Sequence, residues 1–118
     1  MDNNRNFTRV DFVECVSLKH GRQVFFGDIK NMSLKGLFVN TTQEVPLNTA
    51  LDITVYHLPN HSIRLHAVVV RCEETGIAMQ IKDMDVHSFA HLRDIIAMQC
   101  NDQDLIIRET YKMASTIH

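Results

Sequence analysis

The sequence predicts a mainly β fold, a small six-stranded antiparallel β-barrel with an α-helix at its C-terminal end. Two observations support this. From residue 10 to residue 81 the chain is a series of short apolar segments separated by turn signals, with no long helical pattern between them, which is typical of an antiparallel barrel or sandwich. After this series, apolar residues recur at helical spacing. We therefore divide the chain into a flexible N-terminal arm (1–9), a barrel (10–83) and a C-terminal helical segment (84–118).

The strands are identified by their alternation and by the turns between them. The segment "LDITVYH" alternates strictly and places Leu51, Ile53 and Val55 on one face. The segment "IAMQIK", which ends the series, has the same period of two. Between "VDFVECVSL" and "QVFFGDI", Gly21 in "KHGR" predicts a hairpin turn.

The C-terminal segment predicts one helix and favours a second. The apolar stripe of the first helix consists of Val86, Phe89, Leu92 and Ile96. Asp83 or Asp85 can cap its N-terminus, and "NDQD" offers a second capping cluster before "LIIRETYKM". Such a stripe is more often part of the core than a partner surface, but we leave open self-association, including a homodimer, or docking through the last segment.

Composition limits the class of protein. The 118 residues are 45% hydrophobic, enough for one core, and no run of about 18 apolar residues predicts a membrane-inserted helix. The N-terminus lacks the apolar stretch of a signal peptide, so we expect a cytoplasmic protein. Three widely spaced cysteines predict reduced thiols in the core and no disulfide framework.

The charge distribution favours a compact anionic ligand. The net charge of −2 argues against binding to a nucleic-acid polymer. Residues 1–40 nevertheless contain six basic and four acidic side chains, whereas the remainder contains six basic and ten acidic ones. The excess positive charge therefore lies in the first third of the chain.

The sequence predicts neither an enzyme nor a metal site. No serine or cysteine is spaced from a histidine or lysine in a recognisable catalytic pattern, and no pair of carboxylates is marked out. His57, His61 and His66 are distributed around a turn and an outward strand face. His87 and His91 are four apart on the predicted helix but are not part of an HExxH motif, so we interpret the histidines as surface residues.

Two short motifs carry the candidate binding chemistry. Arg5 and Arg9 lie in the polar arm, and a guanidinium can bind phosphate oxygens or the O6/N7 edge of guanine in a bidentate manner and stack on a base. In "NMSLKG", Asn31 and Ser33 offer donors and acceptors, and Gly36 permits positive φ or a close approach of ligand. Each motif also has a plain interpretation, as two solvated arginines and as an Asx-turn between strands.

Together, in this order and this structural context, the two motifs resemble those of PilZ domains, and the resemblance covers residues 5–98. It implies a bacterial receptor for cyclic di-GMP that acts on an unidentified effector protein, with the dinucleotide as ligand and no cofactor. By resemblance, Arg5 and Arg9 engage phosphates and guanine faces, Asn31 and Ser33 hydrogen-bond guanine, and Gly36 keeps the strand junction open. The later "TGIAMQI" is similar to the strand that closes the barrel in that family.

One departure from the family pattern leaves an alternative open. Many family members have a second arginine immediately before the first motif arginine, but this chain has Asn4 there. The alternative is a PilZ-like protein-interaction module that does not bind nucleotide. A barrel that binds RNA or single-stranded DNA is less favoured, because most of the few aromatic residues fall in apolar runs and the net charge is negative.

Overall fold

The computed structural model describes residues 7–58, 61–113 and 117, so the predicted ligand-binding residue Arg5 and its neighbour Asn4 lie outside the described residues. Within them the chain forms seven strands and two helices. The elements are β1 (Val10–Asp11), β2 (Cys15–His20), β3 (Gln23–Met32), β4 (Gly36–Asn40), β5 (Ala50–Leu58), β6 (His61–Glu73), β7 (Gly76–Met84), α1 (Val86–Cys100) and α2 (Gln103–Tyr111).

The strands form one antiparallel sheet that closes on itself. Its order is β1-β3-β2-β5-β6-β7-β4. An additional pairing of β3 with β4 closes the six strands from β2 through β7 into a barrel. The two-residue β1 pairs with the end of β3 that β2 does not reach, in the register Val10↔Met32. The predicted six-stranded antiparallel barrel is confirmed. Closure gives each of the six barrel strands a hydrogen-bonded neighbour on both sides.

Alternation along the strands determines which side chains fill the barrel. Leu51, Ile53 and Val55 are all buried, as their period of two predicts. The hairpin between β2 and β3 turns at Gly21, whose φ of 60° is a left-handed conformation that glycine adopts without a steric penalty. The predicted turn is therefore confirmed.

The predicted core location of the cysteines is wrong for Cys15 and Cys72, whereas Cys100 is partly buried and packs against the core. Cys15 and Cys72 are exposed, and Cys100 is intermediate. The physical reason is the strand period: Val16, next to Cys15, faces the interior, and Cys15 therefore faces out. The thiol of Cys72 donates to the carbonyl oxygen of Val45 at 3.1 Å.

Helix α1 begins at the predicted cap. The Asp85 carboxylate accepts the backbone N–H of Ser88 at 3.1 Å, and the predicted stripe is buried from Phe89 onward. Val86 is the exception, since it is 57% exposed and lies roughly 120° around the helix axis from Leu92.

The predicted second helix is confirmed as α2, which Asp102 caps by accepting the N–H of Leu105 at 3.0 Å. Ile106 and Met113 pack into the same core as α1. No helix among the described residues is long and apolar enough to cross a membrane.

Candidate ligand-binding site

The break between β3 and β4 is shorter than the sequence suggests. Asn31 and Met32 are still paired residues of β3, so only residues 33–35 lie outside the two strands. The pairing of β3 with β4 shifts register between Ile29 and Asn31, which is the signature of a β-bulge. A bulge changes the direction in which the following side chain points, and here that side chain is Asn31.

The turn itself is held by Ser33. Its side chain is fully buried, and its hydroxyl oxygen accepts the N–H groups of Lys35 and Gly36, both at 3.1 Å. The same hydroxyl donates to the Gly36 carbonyl at 3.4 Å, and the Ser33 N–H donates to that carbonyl at 2.8 Å. The turn is thus closed by a serine hydroxyl instead of by the Asn31 amide of an Asx-turn.

The two sequence motifs meet at Arg9 and Asn31. An Nη1 hydrogen of Arg9 donates to the Asn31 side-chain oxygen at 2.6 Å, across 22 residues of sequence. Strand β1 creates this contact, because Asp11 pairs directly with Asn31 and thereby brings the end of the arm beside the motif. A guanidinium and an amide that can both read a guanine edge therefore lie side by side at the surface.

Gly36 does not adopt the positive φ that glycine would permit at this position. It is the first residue of β4, is buried, and pairs with Gln80 of β7. Of the glycines in the described part of the chain, only Gly21 has positive φ. The neighbouring Lys35 carbonyl accepts the N–H of Ile81 at 2.7 Å, so the turn is attached to β7 as well as to β3.

Lysine side chains surround this junction. Burial, and secondarily the charge of Lys82, lowers the pKa of Lys35 below its ordinary value. The ammonium of Lys30 lies 5.9 Å from the centre of the ring of Phe38, the residue of β4 that pairs with Asn31. Among the described residues, no carboxylate forms a salt bridge with Lys30, Lys35 or Lys82. This arrangement of positive charges favours the binding of an anion at the junction.

One contact that was not predicted from the sequence joins the arm to α2. The carboxylate of Glu109 is buried, and its two oxygens accept the N–H of Thr8 at 2.8 Å and the hydroxyl of Thr8 at 2.6 Å. A signal was present in the sequence: Glu109 lies three residues after Ile106 and four before Met113, so it is an acidic residue on an apolar helix face. An acidic residue in that position requires hydrogen-bond donors from elsewhere in the fold.

Two histidines, His57 and His66, contact carboxylates. His66 is between two carboxylates, with Nε2 3.1 Å from Asp52 and Nδ1 2.5 Å from Asp83. His57 Nδ1 lies 3.2 Å from Glu14, and its ring packs edge-on against His91. In residues 7–58, 61–113 and 117, no group of three or more His, Cys, Asp or Glu side chains is arranged to hold a metal ion.

Comparison with known proteins agrees with this architecture. The family model for the PilZ domain matches residues 3–98. The PilZ domain with c-di-GMP of YcgR from Escherichia coli superimposes with a TM-score of 0.66 at 11% identity, over 92% of this chain and 95% of that chain. The PilZ domain of CeSA from a cellulose-synthesizing bacterium gives a TM-score of 0.61 at 14% identity, over 80% of this chain and 96% of that chain.

A third solved structure is similar over part of its length. It is the inhibitor of motility MotI/DgrA of Bacillus subtilis, with a TM-score of 0.68 at 17% identity over 82% of this chain. The present chain spans about half of that protein, 52% of its length. No curated protein matches the sequence. At these identities the superpositions show a common fold, and the family model covers most of the sequence; the chain belongs to the PilZ domain family.

Proposed function

We propose that this chain is a receptor for cyclic di-GMP that signals to an effector protein, a binding protein instead of an enzyme. The observation that carries the proposal is the contact between Arg9 and Asn31, which joins the two motifs at one exposed place. Arginine and asparagine side chains have the hydrogen-bonding groups that a guanine edge requires. The flanking lysines supply positive charge for the two phosphates of the ligand. A structure of a relative, the PilZ domain of YcgR, contains c-di-GMP.

The proposed roles differ between the motif residues. Arg5 and Arg9 bind phosphates and guanine faces from the arm, and Asn31 binds a guanine edge from the barrel. Ser33, predicted to bind guanine as well, already uses its hydroxyl to hold the turn, so a bond to guanine requires that hydroxyl to exchange a partner. Gly36 keeps the strand junction free of a side chain.

The test is a calorimetric titration of the protein with cyclic di-GMP, with GTP and cyclic di-AMP as controls. We expect saturable binding of cyclic di-GMP alone, and its loss in Arg9→Ala and Asn31→Ala. The matched control is Arg93→Ala, because Arg93 is a partly exposed arginine of α1 that contacts Asp94 and belongs to neither motif. Wild-type affinity in Arg9→Ala would refute the site.

The alternative function is a PilZ-like protein-interaction module without nucleotide binding. The observation that favours it is Asn4, which stands where many family members have an additional arginine. The same titration separates the two functions. Folded wild-type protein that gives neither heat nor thermal stabilisation with cyclic di-GMP would support the alternative.

A further inference from the structure

Helix α2 lies beyond the part of the chain that matches the family model, which ends at residue 98. It nevertheless contacts the predicted ligand-binding arm. The Glu109 side chain is only 2% exposed, and both of its carboxylate oxygens are occupied by Thr8, the residue immediately before Arg9. This contact joins residues that are 101 positions apart.

The two hydrogen bonds between Glu109 and Thr8 stabilise the attachment of the arm to α2. A buried carboxylate loses its hydration and must recover that free energy from hydrogen bonds. Here one main-chain N–H and one hydroxyl supply them at 2.8 and 2.6 Å, and hydrogen bonds to an ionised acceptor are stronger than those between neutral groups. Next to Thr8, Phe7 packs against the core, and the Lys112 ammonium lies 5.7 Å from the centre of its ring. Helix α2 therefore contacts Thr8 through Glu109, and its C-cap residue Lys112 contacts Phe7, so both residues of the arm are restrained.

The attachment constrains Arg9 from its N-terminal side. Strand β1 constrains it from the other side, because Val10 pairs with Met32 of β3. Between these two fixed neighbours, the Arg9 side chain reaches Asn31 at 2.6 Å. A binding group whose main chain is fixed before the ligand arrives loses less conformational entropy on binding than one on an unrestrained arm.

We propose that Glu109 is a positioning residue for ligand recognition: α2 holds the arm at Thr8 so that Arg9 is presented beside Asn31. This inference rests on the proposed function, because the ligand in question is cyclic di-GMP. By thermodynamic linkage, the ligand must in turn stabilise the attachment of α2 to the arm. The C-terminal helix, which is outside the matched domain, therefore responds to the occupancy of the site.

The first experiment compares cyclic di-GMP affinity in four forms of the full chain: wild type, Glu109→Gln, Thr8→Val and the double variant. We expect Glu109→Gln to weaken binding about tenfold, which corresponds to ~1.4 kcal/mol. Thr8→Val removes only the hydroxyl and keeps both the main-chain donor and α2 intact, so we expect a smaller loss of roughly threefold to fivefold. The double variant should lose little more than Glu109→Gln alone, because the two changes remove the same contact.

The matched control is Asp104→Asn, which neutralises an exposed acidic residue of the same helix and should leave affinity unchanged. A second readout is the hydrogen exchange of the Thr8 amide, the donor to Glu109. It should be slow in wild type, faster in Glu109→Gln, and slower still after addition of cyclic di-GMP, together with the amides of α2. A purely structural role for Glu109 would lower Tm and leave the affinity of the folded protein unchanged.

The outcomes separate this inference from the proposed function. If wild type binds cyclic di-GMP and Glu109→Gln binds equally well, the positioning role is wrong and the receptor function stands. If Glu109→Gln binds more tightly, α2 restrains the arm against the ligand, and the inference is overturned in sign. If folded wild type does not bind cyclic di-GMP, the receptor function fails, and the positioning role fails with it.

Discussion

At the scale of single residues, Ser33 holds the turn, whereas in the proposed function Asn31 presents a hydrogen-bonding group to the ligand. The Ser33 hydroxyl is buried and contacts three backbone groups, whereas the Asn31 amide is turned toward Arg9 by the bulge in β3. Because the serine satisfies the turn, the asparagine is not required for it. In the proposed function, the motif therefore combines a structural residue and a recognition residue within three positions.

The same junction holds a lysine in an unfavourable electrostatic environment. The pKa of Lys35 is lowered, first by burial and then by Lys82. The folded protein therefore releases this proton at a lower pH than the unfolded chain, so its charge destabilises the fold at neutral pH. The contribution of Lys35 to the free energy of unfolding therefore increases as the pH rises from the lowered pKa toward 10.5, the ordinary value.

This leads to a prediction for Lys82→Gln. Removing the neighbouring charge should raise the pKa of Lys35, slightly increase the free energy of unfolding at pH 7, and weaken cyclic di-GMP binding severalfold. Titration of the Lys35 side chain by NMR, with denaturation and calorimetry, measures all three. The control is Lys19→Gln, an exposed lysine of β2. An unchanged Lys35 pKa in Lys82→Gln would contradict the prediction.

At the scale of elements, the barrel and α1 are joined through a cap. Asp85 accepts the N–H of Ser88, and the Ser88 hydroxyl accepts the N–H of Arg64 in β6 at 2.9 Å. A hydrogen bond from the Ser88 side chain is the largest of the effects that lower the pKa of Asp85, and the bond from the Ser88 backbone N–H lowers it further. The segment from Asp85 to Ser88 thus determines both where the helix begins and where it packs against the sheet.

We expect Asp85→Ala to reduce the free energy of unfolding by about 1 kcal/mol at pH 7 through loss of the cap. Since the folded-state pKa lies below the unfolded value of 3.8, the carboxylate contributes fully above that value, and its contribution is lost as the pH falls through the folded-state pKa. Urea denaturation at pH 7 and near pH 3 measures this. Asp94→Ala, an exposed change later in α1, is the control, and an equal cost for Asp85→Ala at both pH values would refute the assignment.

At the scale of the whole molecule, barrel closure depends on close packing around β4. This strand pairs with both β3 and β7, and it lies between two glycines that allow a close approach. A Cβ at Gly27 would lie 2.6 Å from a methyl group of Val39, and a Cβ at Gly76 would collide with the Val39 carbonyl oxygen. The turn that carries Ser33 leads directly into this strand.

Gly76→Ala should therefore cost several kcal/mol of stability and weaken ligand binding by displacing β4, because the colliding atom belongs to the backbone and cannot rotate away. Gly21→Asn is the contrasting control. A Cβ there meets nothing within 4 Å, and asparagine tolerates positive φ better than most residues. Thermal unfolding of both variants measures the difference. Equal Tm values for Gly76→Ala and wild type would show that β4 adjusts to the added atom.

Features that follow from local backbone geometry are predictable from the residues alone. A period of two identifies Leu51, Ile53 and Val55 as inward-facing, glycine chemistry identifies the hairpin at Gly21, and capping chemistry identifies Asp85. Each depends on neighbours within a few residues. The short motifs were sufficient to indicate the family for the same reason, since they are read directly from residue types and spacing.

Contacts between residues distant in sequence depend instead on how the whole chain folds. The contact of Arg9 with Asn31 depends on the pairing of β1 with β3, and the contact of Thr8 with Glu109 depends on how α2 packs beneath the arm. Whether a position is buried also depends on the whole fold, which is why the predicted burial of Cys15 and Cys72 is wrong. Periodicity specifies the faces of an element, but burial and long-range contacts arise from closure of the barrel and packing of the helices against it.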